Sequence, residues 1–404
     1  MYLDLKSKLD LYKKETCVKA EKPKAQGPDI HQLLNGLVCT NEAGSFFSLE
    51  KRYPLTYCHG GYTLGQAANM DVSPISAILK NDINHLTVKD MLFFDTETTG
   101  LAGGTGTVAF LVGIGYFQDD CFTIKQFLMR DYDEECAMMT SLNQVLKEKK
   151  ILVSFNGKSF DWNLLLTRFT ANRMRVGIKD PIHVDLLYPA RAIWKHKLEN
   201  CRLSSLEENI LGIKRHDDIP GALIPEVYFR YLSDRNALDL KKVIIHNEND
   251  VISMVSLMLR INSLLRDPLS SARGLAELYG TGNIFDRLND YETAIKCYFC
   301  CINSKSAMLK EMSLKRLIRI YKKNRDYHKA IEFLEMLLNE SKLPNIPIMI
   351  ELAKQYEHRV KNITKALEIV SSAIELCHRA SFSRNLYYSD LKNRAERLER
   401  KIRK

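Results

Sequence analysis

At 404 residues, 45% hydrophobic and 27% charged, the chain has the composition of an ordinary soluble protein and the length for two or three domains. Its formal net charge of +10 suits an acidic partner without proving one. No apolar stretch approaches bilayer length, the first residues lack the apolar block of a secretory signal, and ten scattered cysteines show no disulfide-framework spacing, so no membrane role and a cytoplasmic enzyme or scaffold are expected.

In chain order, residues 1–15 carry short helical periodicity and lead into a polar, lysine-bearing connector around 21–28. Residues 39–62 alternate, with Gly, Pro and aromatic punctuation, and read as short strands and turns. A buried strand is expected at 91–95, a second at 107–117 and a third at Cys121–Leu128, with the glycines of 103–106 forming a tight connection between the first two. A helix over 134–149, a strand at Ile151–Ser154, a helix over 160–172 and a short strand at 182–186 precede helices reaching about residue 265. Meandering strands followed by alternating helix and strand predict a mixed α/β sheet.

Beyond Arg266-Asp267-Pro268 the chain turns helical and repeats itself. Asp290-Tyr291-Glu292-Thr293-Ala294-Ile295 recurs as Asp326-Tyr327-His328-Lys329-Ala330-Ile331 and, more weakly, as Asn362-Ile363-Thr364-Lys365-Ala366-Leu367. Ala294, Ala330 and Ala366 are 36 residues apart, close to the repeat of about 34 in tetratricopeptide arrays. A small residue there lets helices pack closely, and Tyr279, Tyr321 and Tyr356 fit the preceding helices. The last stretch, 381–404, holds eight Lys/Arg against three Asp/Glu; a polar capping helix or contact with an acidic surface would account for it.

The chemistry concentrates elsewhere. Leu92-Phe93-Phe94-Asp95-Thr96-Glu97 is an apolar run ending in two carboxylates. Side chains alternate along a strand, so Asp95 and Glu97 share a face, roughly 7 Å apart along the chain. Two anions placed so repel unless something positive sits between them, and a divalent cation is the usual answer. The plainer reading is a strand end displaying two solvated acids. Further on, Asn156-Gly157-Lys158-Ser159-Phe160-Asp161 leaves a buried strand and enters a helix, placing Asp161 near its N-terminus. His246 and Asp250, four apart in a helical stretch, share a face.

Asp-x-Glu, then Asn-x-x-x-Phe-Asp, then His-x-x-x-Asp resembles the order of the DEDD exonuclease superfamily of the ribonuclease H-like fold. Phe-Asp-Thr-Glu-Thr-Thr-Gly-Leu-Ala-Gly-Gly-Thr-Gly-Thr at 94–107 is similar to the hallmark of the YprB-type ribonuclease H-like domain. So are Asp185-Leu186-Leu187, Cys201-Arg202-Leu203-Ser204-Ser205-Leu206-Glu207, and Asp218-Ile219-Pro220-Gly221 followed by Ile224-Pro225. The likeness spans about residues 50–260, and in that family the domain often stands beside helical repeats.

The resemblance implies a two-metal phosphodiesterase. Asp95, Glu97, Asp161 and Asp250 would hold two Mg²⁺ or Mn²⁺ ions about 4 Å apart, one activating a water and the other stabilising the leaving 3′ oxygen. His246 would orient or deprotonate that water, since a neutral imidazole takes a proton near pH 7. One departure stands out: such nucleases usually place a histidine five residues before the last Asp and a tyrosine four before. His246 has the tyrosine spacing, about 100° of helical rotation away, which leaves a structural hydrogen-bonding role open. Asp185 is expected to support the site rather than join it.

The expected fold is thus an α/β ribonuclease H-like fold, a mixed sheet flanked by helices, followed by an all-α tetratricopeptide-like helical repeat domain. The division is 1–38 (helix and linker), 39–266 (nuclease domain), 267–380 (repeats) and 381–404 (basic helix). By resemblance the substrate is a single-stranded DNA or RNA end cut 3′→5′, with the repeats recruiting a protein partner or extending the substrate path. The alternative is a non-catalytic nucleic-acid-binding or scaffold protein. The 103–106 glycines lack the Gly-Lys-Ser/Thr of a P-loop, and Cys297-x-x-Cys300 lacks the second pair a zinc site wants. Trp162 and Trp194 are expected in the core.

Overall fold

Among the described residues nine strands form in chain order: β1 Gly36–Asn41, β2 Gly44–Pro54, β3 Cys58–His59, β4 Tyr62–Thr63, β5 Met91–Thr98, β6 Ala109–Gln118, β7 Cys121–Leu128, β8 Ile151–Ser154 and β9 Ile182–Asp185. All but the small β3–β4 hairpin join one sheet in the order β1-β2-β7-β6-β5-β8-β9. The computed structural model describes residues 30–79, 86–100, 106–340, 345–379 and 387–403. The expected helix at 1–15, the connector at 21–28 and all but the last glycine of 103–106 lie outside the described residues.

Two compact units divide the chain. One comprises the segment ending at Met70, Leu86–Leu186 and Ile210–Leu257; the other comprises a segment beginning at Asp71, Leu187–Asn209 and everything from Met258. The units therefore interleave in sequence, where the sequence reading draws consecutive blocks.

The first unit holds the sheet. β6 is buried over nearly its whole length, as its run Ala-Phe-Leu-Val-Gly-Ile-Gly demands, and it pairs antiparallel with β5 and β7. β5 also pairs parallel with β8, and β8 with β9. The sheet is thus mixed, a meander on one side and a parallel crossover half on the other. Phe47, Phe93, Phe110, Phe122, Phe127 and Phe169 are fully buried against it. Flanking helices are α1 Glu135–Leu146, α2 Asp161–Ala171, α3 Ile224–Asp234 and, as far as Leu257, α4 Leu238–Arg266.

The second unit is all-helical, with about ten helices among the described residues. Ala294, Ala330 and Ala366 are each fully buried, as close helix packing at the repeated position requires. Gly280 shows how close: a Cβ there would lie 2.0 Å from the Ile193 carbonyl oxygen. Trp194 is fully buried and donates its indole N–H to Glu277 at 2.7 Å. Trp162, in the first unit, is only partly buried, edge-on to Phe94. The basic helix α5 Tyr388–Ile402 directs Arg394, Arg397 and Lys401 onto one carboxylate, the fully buried Glu357. No helix among the described residues is long and apolar enough to cross a membrane.

Candidate active site: a buried carboxylate cluster

Three segments converge at the C-terminal end of β5. The strand itself carries Asp95 and Glu97 on one face, with Thr96 and Thr98 buried on the other. Parallel β8 runs alongside it, pairing as far as Phe93 with Val153, and the chain then loops through 155–160 into α2. Asp161 is the first residue of that helix, and the Thr96 hydroxyl reaches across to donate to its carboxylate. The loop is pinned from β9. Asp185 accepts the Asn156 N–H at 2.8 Å and the Lys158 N–H at 3.2 Å, holding Asn156 in the left-handed region. Asp185 therefore supports the loop that aims Asp161.

The third segment is α4, which brings His246, Asn247 and Asp250. Asn247 is fully buried and donates to Asp95 Oδ2 at 2.9 Å. Its own carbonyl oxygen accepts from Gln126 Nε2 at 2.9 Å, and Gln126 also donates to the Ile244 carbonyl. Room for this amide exists because β6 places Gly113 opposite Asp95; a Cβ at Gly113 would stand 1.9 Å from Asn247 Oδ1.

His246 sits between two acids. Its Nδ1 lies 2.8 Å from Asp218 Oδ1, and its Nε2 lies 3.6 Å from Asp250 Oδ2. Arg215 closes the arrangement: its side chain, 9% exposed, pairs with the Asp250 carboxylate and with Asp218 at 3.2 Å.

The electrostatics show that these acids sense one another. Burial, then the charges of Asp250, Glu97 and Asp161, raise Asp95 well above the usual carboxylate range against the Asn247 hydrogen bond. Glu97 is raised too, by burial first and then by Asp250, Asp161 and Asp218, with Arg215 opposing. Burial pushes Asp161 up to about 6 despite the Thr96 hydrogen bond. Nearby, burial and then Arg215 push His59 down to about 4, so its ring is neutral at pH 7; its Nε2 bonds Ser253 Oγ at 2.8 Å.

The donor set suits a hard divalent cation: carboxylate oxygens, largely out of solvent, whose mutual repulsion such an ion would relieve. Asp95, Glu97, Asp161 and Asp250 are the residues that would hold it. Among the described residues, however, no three His, Cys, Asp or Glu side chains are drawn close enough to form a metal cage. Arg215 on Asp250 and Thr96 on Asp161 occupy carboxylate oxygens that a cation would claim.

Sequence reasoning reached the four acids and His246 but not Arg215, Asp218, Asn247 or Gln126 as site residues. For some of them a signal existed. Two glycines inside a strand, Gly113 and Gly115, mark a close approach by another element, and Gln126 is a polar residue within a buried strand.

A family model described as the RNase H superfamily matches residues 92–262, the stretch that supplies all of these acids. The fold is that of a ribonuclease H-like domain, a class that suggests nuclease activity in general and whose nucleases generally use divalent metals. Over 335 residues the chain is 33% identical to "Uncharacterized protein YprB" of Bacillus subtilis (strain 168), covering 80% of its own length and 79% of the relative's. It belongs to the YprB family.

Proposed function

We propose that the chain is a metal-dependent nuclease that removes nucleotides from the 3′ end of single-stranded DNA or RNA by a two-metal mechanism. The observation that supports this reading is the gathering of Asp95, Glu97, Asp161 and Asp250, largely shielded acids, three of which (Asp95, Glu97 and Asp161) are raised by burial and by the charges of neighbouring acids, Asp250 among them. Mg²⁺ or Mn²⁺ bound by them would supply Lewis acidity to the attacking water and to the leaving oxygen.

The chain's own residues do the rest. Asn247, fixed by Gln126, holds the Asp95 carboxylate in one orientation. Asp218 accepts the Nδ1–H of His246, which leaves the Nε2 lone pair free to take a proton from water. The helical repeats serve to recruit a protein partner or to extend the substrate path, and the cytoplasm is the proposed location.

The test is end-labelled single-stranded DNA, RNA and hybrid duplex incubated with Mg²⁺ or Mn²⁺, with Asp95→Ala and Asp250→Ala as controls. A ladder shortening from the 3′ end, lost in both variants, supports the reading. Internal products overturn the polarity; variants that cleave as fast as wild type overturn the site. Stabilisation by Mn²⁺ without turnover would favour the binding or scaffold role instead.

A further inference from the structure

Beside the acid cluster lies an aromatic ladder that no step above uses. The Tyr53 and Tyr57 ring centroids are 4.6 Å apart with the planes tilted by 55°, and Tyr57 lies nearly parallel to His59, at 17° with centroids 6.5 Å apart. The outer end is fixed by Glu248, which contacts both the Tyr53 hydroxyl and Lys51, and the Lys51 ammonium stands 5.0 Å from the Tyr53 ring centroid. The inner end is fixed by His59 on Ser253. Ser253 is three residues beyond Asp250 on α4, so His59 stands one helical turn past a candidate metal ligand.

The hairpin carrying His59 is built to hold this position. Gly60 and Gly61 both take positive φ, 60° and 77°, as a two-residue turn requires, and Gly60 packs against Leu211 and Ile213, just before Arg215. Tyr57 is 37% exposed, a large ring offered to solvent from a rigid frame.

We propose that Tyr57, backed by Tyr53 and His59, is a base-stacking subsite for the unpaired bases of a single-stranded nucleic acid entering the acid cluster. Aromatic faces stack on any base, so such a subsite binds single strands without reading sequence. The inference rests on the nuclease reading, because the ladder matters only if the neighbouring acids act on nucleic acid.

The experiment uses the full chain in EDTA, so that binding is measured without turnover. The probe is a 12-nucleotide oligothymidylate with one 2-aminopurine near its 3′ end, made as DNA and as RNA. Wild type should quench the fluorophore on binding. Tyr57→Ala should weaken binding about tenfold and abolish the quench, whereas Tyr57→Phe should stay within about twofold. If wild type binds and Tyr57→Ala binds and quenches equally, the ladder is not the subsite while the nuclease reading stands. A wild type that binds neither oligonucleotide removes the stacking subsite, while the nuclease reading is decided separately by the cleavage test with metal present.

Discussion

Arg215→Met offers the sharpest probe of the acid cluster. The guanidinium pairs with Asp250 and Asp218, whose side chains are 18% and 26% exposed, while its own side chain is 9% exposed. Breaking a fully buried pair costs about 3–5 kcal/mol because an unpaired charge is left behind; for these partly exposed acids about 2 kcal/mol is the working figure. In a unit of this size that corresponds to a metal-free Tm lower by about 4–8 °C. If Asp250 is a metal ligand as proposed, a divalent ion would need the carboxylate oxygens that Arg215 holds. Wild type must break the pair to bind the ion and the variant need not, so the same 2 kcal/mol returns as roughly 30-fold tighter Mn²⁺ binding. Calorimetric titration with Mn²⁺ measures the affinity, and thermal unfolding at rising Mn²⁺ measures the stability, which grows as RT ln(1 + [L]/Kd). The Tm gap should open in EDTA and close at saturating Mn²⁺. A variant that binds Mn²⁺ no more tightly than wild type, or a gap that persists at saturation, would refute the competition between arginine and metal.

Two further outcomes follow from particular contacts. Gly113→Ala would drive a Cβ into Asn247 Oδ1, and urea unfolding should show a loss of about 1–3 kcal/mol; combining it with Asn247→Ala should restore part of that loss, so strict additivity would contradict the crowding. At Glu357, burial alone would raise the carboxyl, but hydrogen bonds from Arg397 and Lys401 and the charges of Arg397 and His358 hold it at about 2. Its folded pKa lies below the ordinary 4.5, so its stabilisation is present above pH 4.5 and is lost as pH falls towards 2. With Arg397 and Lys401 screened by solvent, about 1–2 kcal/mol should disappear over that window by circular dichroism, and Glu357→Gln should flatten the slope.

How much of this was legible beforehand depended on how local the cause was. β7 begins and ends where its alternating pattern predicts, and β8 likewise, because strand pattern and turn residues are properties of neighbours in sequence. β5 runs three residues further than the apolar run suggests, through Glu97 to Thr98, because pairing with β6 carries the backbone onward past the acids. The repeated alanines were readable because one packing rule recurs at a fixed interval. Arg215 and Asp218 were not, since they lie in the segment between Leu211 and α3 and meet α4 only through folding. The family-like Asp218-Ile219-Pro220-Gly221 marks Asp218 without giving it a role, and nothing in Lys214-Arg215-His216-Asp217 distinguishes a buried clamp from a solvated run of charge.

The histidine spacing, the least transferable part of the sequence reading, acquires a physical sense from Asp218. Four residues before Asp250, His246 shares its helical face, and Nε2 comes within 3.6 Å of the Asp250 carboxylate. Asp218 then takes the opposite nitrogen from outside the helix at 2.8 Å, with Arg215 Nη1 3.4 Å from the same atom, so the partners of Nδ1 come from residues 28 and 31 positions away rather than from α4 itself. If His246 accepts a proton at Nε2, Asp218 is the residue that positions it. Asp218→Asn tests this directly, because an amide can donate to Nδ1 and so favour the tautomer with Nε2 protonated. Turnover should fall about 10²-fold or more, as for loss of a general base, while Mn²⁺ affinity stays within about threefold. His246→Ala should cost as much, and the double variant no more than either alone, because both remove one function. Independent, multiplying losses would instead mean that Asp218 serves the substrate or the metal and that His246 is held there for structure.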